Sequence, residues 1–340
     1  MLRVTGILIT VLCAIAAAVL TWPGFFRIEQ TFPIAQLISF RPLLAVGFAV
    51  LAVVFLLLAI ARPLRGFALS LVLVTGAAAV ANGVILLTRG TGTDALPEPT
   101  DSSIRVMTWN TSGDATEPGA VAQLAVAMQA GIVSLPETTP ANGERIAVAM
   151  RDLGQPMWVH HVVNEQEGAT WDARYTTLLI SPDLGDYSVI ESSRDGSSST
   201  GVVPSAVAMP IDGSGPIVVA VHAVAPREDA MDQWQEDLRW LGDQCADANV
   251  IMAGDFNATV DHMARLGEGD ATLGRCRDAA VDSGNGAVGT WSTDYPRLMG
   301  APIDHVMYSD HWEVTGSIVL PTGSSASDHR PLVVQLEPVD

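Results

Sequence analysis

The chain has 340 residues, 49% of them hydrophobic, and carries 37 acidic against 18 basic residues, with no lysine. That length is enough for a membrane region plus a domain, and a mean hydropathy of +0.31 is high for a soluble enzyme. After residue 90 lie 36 acidic residues and 12 arginines, a formal net of −24, so the basic stripe with which nucleic-acid binders displace counterions is not visible.

The apolar excess sits at the front. Residues 4–22, 43–61 and 67–87 are uncharged and apolar, each near the ~20 residues that span a bilayer, and three transmembrane helices are expected there. No small-x-small cleavage site follows the first, so it is not read as a signal peptide. With the amino terminus cytoplasmic, Arg3, Arg62 and Arg65 lie inside and Arg27, Arg41 and Arg89 outside. That tie is tipped by the tight two-arginine loop before Gly66 and by the free amino group beside Arg3. The expected location is the plasma membrane, multi-pass, with the C-terminal part extracytoplasmic. The first loop, with Phe25, Phe26, Phe32 and Phe40, is either an interfacial segment or an ordinary apolar linker.

Residues 90–103, "GTGTDALPEPTDSS", read as a flexible tether between a membrane region (1–89) and a domain (104–340). Strand-like apolar runs follow at 104–109, 132–135, 176–180, 206–211, 217–221, 250–252, 303–308, 314–320 and 331–336. Helices are expected after the Thr116-Glu117-Pro118 start signal, at 144–153 and at 229–241, where Met231, Trp234, Leu238 and Leu241 share one face. Residues 195–200 read as a polar loop. Strands outnumber helices and several are joined by short turns, which predicts an α+β fold of two packed sheets flanked by helices. Cys245 and Cys276 form either a disulfide, if the domain is outside, or two buried thiols.

Polar residues collect where these strands end. Asn110 closes "VMTWN", Glu137 lies in "IVSLPET", and His222 in "VVAVHAVAP". Asp255 and Asn257 lie in "IMAGDFNA", Asp304 and His305 in "APIDHVMYS", Asp328 and His329 in "SASDHRP". Singly, each is explained by a cap or a turn. Together, four carboxylates repel unless a cation shares the site. Oxygen ligands with few thiols point to Mg²⁺, Mn²⁺ or Ca²⁺ rather than zinc. A hard cation beside an imidazole is equipment for cleaving phosphate esters. On an extended strand, Asp255 and Asn257 would project from one face.

The motifs "TWN", "LPET", "VHAVAP", "GDFNA", "PIDHV" and "SDHRP", in this order, resemble the endonuclease/exonuclease/phosphatase family, of deoxyribonuclease-I-like fold. The resemblance covers residues 104–336 and implies a four-layer α/β/β/α sandwich and an Mg²⁺-dependent phosphoesterase. It implies Glu137 as principal metal ligand, supported by Asn110 and Asp328. Asp255 would orient or deprotonate the attacking water, and Asn257 would hold a phosphate oxygen. His329, partnered by Asp304, would contact the scissile phosphate, and His222 would be a phosphate contact or general acid. Ser112 stands where many members have an acidic residue, and His305 where an aromatic is common, making His305 a candidate substrate contact. Arg174 and Tyr175 are further candidates. The partner implied is a phosphoester, of lipid or envelope origin given the anchor. The alternatives are a nuclease on extracellular DNA or RNA, or a non-catalytic receptor for a phosphorylated ligand.

Overall fold

The computed structural model describes residues 2–92, 95–164, 171–190 and 199–339; of the 195–200 loop, only its last two residues fall among these. Helix α1 (Leu2–Thr21) is followed by the short α2 (Pro23–Phe26) and α3 (Ile34–Ser39), then by α4 (Arg41–Leu58) and α5 (Arg65–Arg89). Helices α1, α4 and α5 are each long and apolar enough to cross a membrane. Pro42 in the first turn of α4 loses no helical bond, and Gly90, at φ +84°, ends α5. The hydroxyls of Thr10, Ser70 and Thr75 donate to carbonyls one turn back, which removes unpaired donors from an apolar surface.

The segment between α1 and α4 is neither a plain linker nor wholly an interfacial strip. Phe25 stays exposed, but Ala35 is buried in a core cluster with Val219, Met252 and Trp234. Gln30 donates to the His262 carbonyl at 2.8 Å, Gln36 donates to the Pro226 carbonyl, and the Phe40 ring packs on Trp291 and Tyr295. Residues 90–92 and 95–103 are not a loose tether either. The Gly286 and Ala287 amides donate to Arg89 and Gly90, the Gly92 amide donates to Gly284, and Arg105 holds the Pro97 carbonyl at 2.8 Å. The physical reason is that this stretch supplies carbonyls and an apolar side chain, Leu96, to a surface already built to receive them.

Twelve strands follow in chain order: β1 (Ile104–Thr108), β2 (Ile132–Pro136), β3 (Trp158–Val163), β4 (Tyr175–Ile180), β5 (Tyr187–Ile190), β6 (Ala206–Pro210), β7 (Ile217–His222), β8 (Val250–Asp255), β9 (Arg277–Asp278), β10 (Asp304–Tyr308), β11 (Trp312–Val319) and β12 (Leu332–Pro338). They form two six-stranded sheets, ordered β11-β12-β1-β2-β4-β3 and β5-β6-β7-β8-β10-β9. One core lies between the sheets, where Val106, Ile132, Leu178 and Val334 meet Ala208, Ala220, Ile251 and Val306. Helices α6 (Pro118–Ala127) and α7 (Pro140–Asp152) cover the outer face of the first sheet, and α8 (Met231–Gln244) that of the second. The result is the four-layer α/β/β/α sandwich expected. The N-cap of α6 is Glu117 rather than Thr116, whose hydroxyl instead donates to the Thr111 carbonyl. Short α9 (Val260–Met263) and α10 (Ala279–Asp282) complete the chain. Cys245 and Cys276 are joined as a buried disulfide with their Cα atoms 5.7 Å apart.

The second sheet's connection and the apolar helices are tied together at Asp261 of α9. Arg41 donates to it through Nε and Nη2 at 2.9 and 2.7 Å, and Arg89 through Nη1 and Nη2 at 2.8 and 2.7 Å. Burial alone would raise this carboxyl's pKa, but the two guanidiniums hold it well below the usual carboxylate range. A depressed folded pKa means the unfolded chain binds the proton more tightly. The resulting stability is complete above the unfolded pKa of about 3.9 and is lost as pH falls below it. The melting temperature of the full chain in detergent is therefore expected to fall progressively from about pH 5 downward, and to go on falling below about pH 3. The Asp261→Asn variant is expected to start lower and to show a shallower drop.

Candidate active site

The two sheets bring their chemistry to one end. In the second sheet β7 and β8 run parallel with His222 beside Asp255, and β10 runs antiparallel with Asp304 beside Asp255. One row across three strands thus reads His222, Asp255, Asp304. In the first sheet β1 and β2 run parallel, and β12 antiparallel to β1. The residues after β1 and β2 and before β12 therefore share an end, and these are Asn110, Glu137 and His329.

Local backbone aims these groups. Gly254 lies so close to the Val221 backbone that a Cβ would overlap it, which lets β8 deliver Asp255 tight against β7. The strand stops at Asp255, and Asn257 sits at φ +47°, so the two do not share a pleat as an extended strand would have made them. They meet because the chain turns. The Asn257 amide donates to Asp255 Oδ1 at 2.8 Å, and Asn257 Nδ2 donates to the Ala223 carbonyl at 2.9 Å and toward Asp255 Oδ2 at 3.3 Å. Asparagine tolerates that left-handed conformation. Glu137 holds φ +60°, a conformation that costs a non-glycine residue about 1 kcal/mol or more. Its amide is fixed by the Tyr175 carbonyl at 2.9 Å.

The side chains interlock. Asn110 Nδ2 donates to Glu137 Oε1 at 3.0 Å and to Asp255 Oδ2 at 3.1 Å, bracing two carboxylates from different sheets. Its Oδ1 accepts from the Ser112 amide. His329 Nδ1 lies 2.9 Å from Asp304 Oδ2, and its Nε2 lies 3.8 Å from Asp255 Oδ2 and 4.0 Å from Asp328 Oδ1. His222 Nε2 is 3.8 Å from Glu137 Oε1.

Electrostatics separate the two imidazoles. Burial works to lower the His329 pKa, but the Asp304 and Asp255 carboxylates outweigh it and push it up to about 10, so this ring is cationic at neutral pH. Burial, helped by the His329 charge, pushes His222 down to about 3 and leaves it neutral. Burial and the neighbouring Asp304 push Asp255 up to about 7, against His329 and the amides of Asn257 and Asn110. Burial also raises Glu137, against its bond from Asn110. Asp304 Oδ1 is buried and has no hydrogen-bond partner. Crowded carboxylates, one of them with an orphaned oxygen, fit a hard cation. The Asp255, Asp304 and His329 ligand atoms lie within 4.8 Å of one another.

Residues 107–329 match the Endonuclease/Exonuclease/phosphatase family. The chain belongs to this family. Solved structures share the fold. An endonuclease/exonuclease/phosphatase from Beutenbergia cavernae is 20% identical, with a TM-score of 0.51 over 70% of this chain and 72% of that one. One from Bacteroides vulgatus is 16% identical, with a TM-score of 0.52 over 70% of this chain and all of that one. D. rerio TDP2, complexed with a single strand DNA product, is 15% identical, with a TM-score of 0.53 over 70% and 100%. At these identities the likeness is one of fold. No curated protein matches the chain. Membership makes phosphoester cleavage, by a phosphoesterase or a nuclease, the chemistry to test at this cluster, and family members are generally dependent on a divalent metal.

Against the family pattern, one candidate moves out of the site. His305, expected as a substrate contact, neighbours Asp304 on β10 and so points to the opposite face. It is 3% exposed, its Nδ1 pairs with Asp278, its Nε2 donates to the Ala258 carbonyl at 2.8 Å, and its ring meets Phe256 edge-on. Ser112, which stands in an acidic position of the family, has a different task. Its hydroxyl donates to Asp328 Oδ1 at 2.7 Å while Trp291 Nε1 donates to Asp328 Oδ2 at 2.8 Å. Burial opposes it, but these donors and the His329 charge hold the Asp328 carboxyl below its ordinary pKa. Arg174 lies over the Tyr175 ring, and the Tyr175 carbonyl holds Glu137, so this pair borders the site. Trp291 was not singled out in the sequence. A tryptophan in a Gly/Ser/Thr loop is the only signal it gives there.

Proposed function

We propose that the chain is a membrane-anchored, extracytoplasmic phosphoester hydrolase, working with Mg²⁺, or with Mn²⁺ or Ca²⁺, on a phosphodiester or phosphomonoester of lipid or envelope origin. The observation that carries this reading is the row His222, Asp255 and Asp304 facing Asn110, Glu137 and His329 across the two sheets. Residues 1–89 are the membrane part and 104–340 the catalytic part, with 90–103 running between them.

Glu137, the orphaned Asp304 Oδ1 and, at the mouth, Asp328 are the groups that would hold the cation. The imidazolium of His329 repels it, so the Asp255–Asp304–His329 trio is read as only partly a metal site. When bound, the cation supplies charge neutralisation at a phosphoryl oxygen. Asp255, with a pKa near neutrality, takes the proton of the attacking water. His329, held in place and charged by Asp304, donates to the phosphate, where its charge favours the transition state. Neutral His222 donates one N–H to the phosphate, and Asn257 contributes its amide. Asn110 keeps the Glu137 and Asp255 carboxylates at a fixed spacing.

Two observations support an extracytoplasmic domain. A buried disulfide suits an oxidising compartment. Arg41 and Arg89, which made the arginine count a tie, are both engaged by Asp261; setting them aside leaves Arg3, Arg62 and Arg65 against Arg27.

The test is the full chain in detergent or nanodiscs, assayed on phospholipids, DNA, RNA and chromogenic phosphomonoesters and phosphodiesters, with Mg²⁺ added and then chelated. Metal-dependent turnover of a lipid or envelope phosphoester is expected. Faster cleavage of DNA or RNA turns the reading to a nuclease. Tight phospho-ligand binding without turnover of any substrate turns it to a receptor.

A further inference from the structure

The catalytic loop of residues 255–263 is fastened at its start to its own sheet, where Phe256 donates to the Ile303 carbonyl, and at its far end to the apolar helices. Asp261 accepts four bonds from two guanidiniums, which fills the lone-pair directions of a carboxylate. Arg41 is the first residue of α4 and Arg89 the last of α5. Arg41 Nη1 reaches on to Asn82 Oδ1 at 2.7 Å and to the Thr21 carbonyl at 3.1 Å. Asn82 Nδ2 in turn donates to the Thr21 hydroxyl and the Ala78 carbonyl. One carboxylate therefore gathers the domain-side ends of all three apolar helices.

A second fastening lies one residue away. His262 Nδ1 accepts from the Thr259 amide at 2.8 Å, which leaves Nε2 as the protonated nitrogen, donating to the Ala35 carbonyl at 3.0 Å. Gln30 holds the His262 carbonyl. The loop that emerges from this clamp carries Asp255 and Asn257. Arg41 and Asp261 are both buried, and Arg89 is half-buried beside them.

We propose that Arg41 and Arg89 are positioning residues of the active site: by fixing Asp261 they set where Asp255 and Asn257 stand, and the packing of α4 against α5 becomes part of the catalytic geometry. This rests on the phosphoester-hydrolase reading for its kinetic consequence, but its structural content is independent of that reading.

The experiment uses the full chain in nanodiscs and the Arg89→Gln variant, which leaves the Arg41–Asp261 pair in place, with Arg41→Gln as the second variant. Amide hydrogen exchange over residues 255–263 is expected to quicken in Arg89→Gln, while β1 and β2 keep their protection. With bis(p-nitrophenyl) phosphate and Mg²⁺, kcat per folded molecule is expected to fall about 10- to 100-fold with KM changed less than about twofold. Arg89→Lys, which keeps the charge and one donor, recovers part of the loss. Adding Arg89→Gln to Asn257→Ala is expected to cost little more than Asn257→Ala alone, because both act through one loop. Unchanged exchange over 255–263 in both variants overturns the proposal whether or not turnover is found. So do kcat losses that multiply in the double variant. A wild-type chain that turns over nothing, with a quickened loop in Arg89→Gln, overturns the enzymatic reading and leaves the clamp standing.

Discussion

Replacing Glu137 by Gln is expected to lower metal-dependent phosphoester turnover by about a thousandfold or more while leaving the melting temperature unchanged or raised. The two readouts part because Glu137 is useful and uncomfortable at once. Its carboxyl is partly buried, burial raises its pKa, and the Asp328 and Asp172 charges raise it further. A neutral amide of the same size relieves that repulsion. It can still accept the Asn110 bond through its oxygen and keeps the backbone at φ +60°. It no longer attracts a cation. Steady-state kinetics over a Mg²⁺ titration, with thermal melting alongside, checks both halves. Full activity in the variant removes Glu137 from the metal site. A collapse in melting temperature together with activity makes its role structural.

The largest stability effect is expected away from the reacting groups, at Asp278. Its Oδ2 pairs with His305 and its Oδ1 caps α10 by accepting from the Val281 amide at 2.7 Å. Burial opposes charge on His305, but Asp278 raises its pKa above the ordinary value. The ring donates from both nitrogens, as an imidazolium does. Asp278→Ala strands that cation in the core and is expected to cost about 3–5 kcal/mol, measured by chemical denaturation of the full chain in detergent. The sign with pH follows from the raised pKa. The pair's stabilisation is complete below the unfolded histidine pKa of about 6.5 and fades as pH rises through the folded value. The gap between wild type and variant should therefore narrow in alkali. A gap that widens there would show His305 to be neutral. Asp278→Asn keeps the cap and one acceptor and should cost less.

The strands legible in the sequence were those with long apolar runs. β3, with two histidines at its centre, and β5, four residues long, lie at sheet edges, where one flank is unpaired and the pattern is weak. β9, with two residues, has no pattern to read. The clustered polar residues were visible because each ends an apolar run. What that pattern does not carry is facing. It marks Asp304 and His305 alike, and only the pleat sends one to the site and the other to Asp278. Nor does it carry long-range charge partners. Arg41 and Arg89 read as markers of membrane orientation because Asp261 lies 220 and 172 residues further on. Asn82 likewise read as a stray polar group in a span, with its partners Arg41 and Thr21 out of sight.

That same separation has a consequence for how the protein is made. At synthesis speeds of about 5–20 residues per second, Asp261 leaves the ribosome roughly 10–30 s after Arg89. Until then both arginines wait at the ends of finished helices without their common carboxylate. Sheet closure comes later still, since β1 must wait for β12, which begins at Leu332. The nascent chain thus passes through a period when its apolar helices are complete and β1 still lacks its β12 partner. During those seconds the open edge of β1, which later takes β12, is the segment that a chaperone would have to cover.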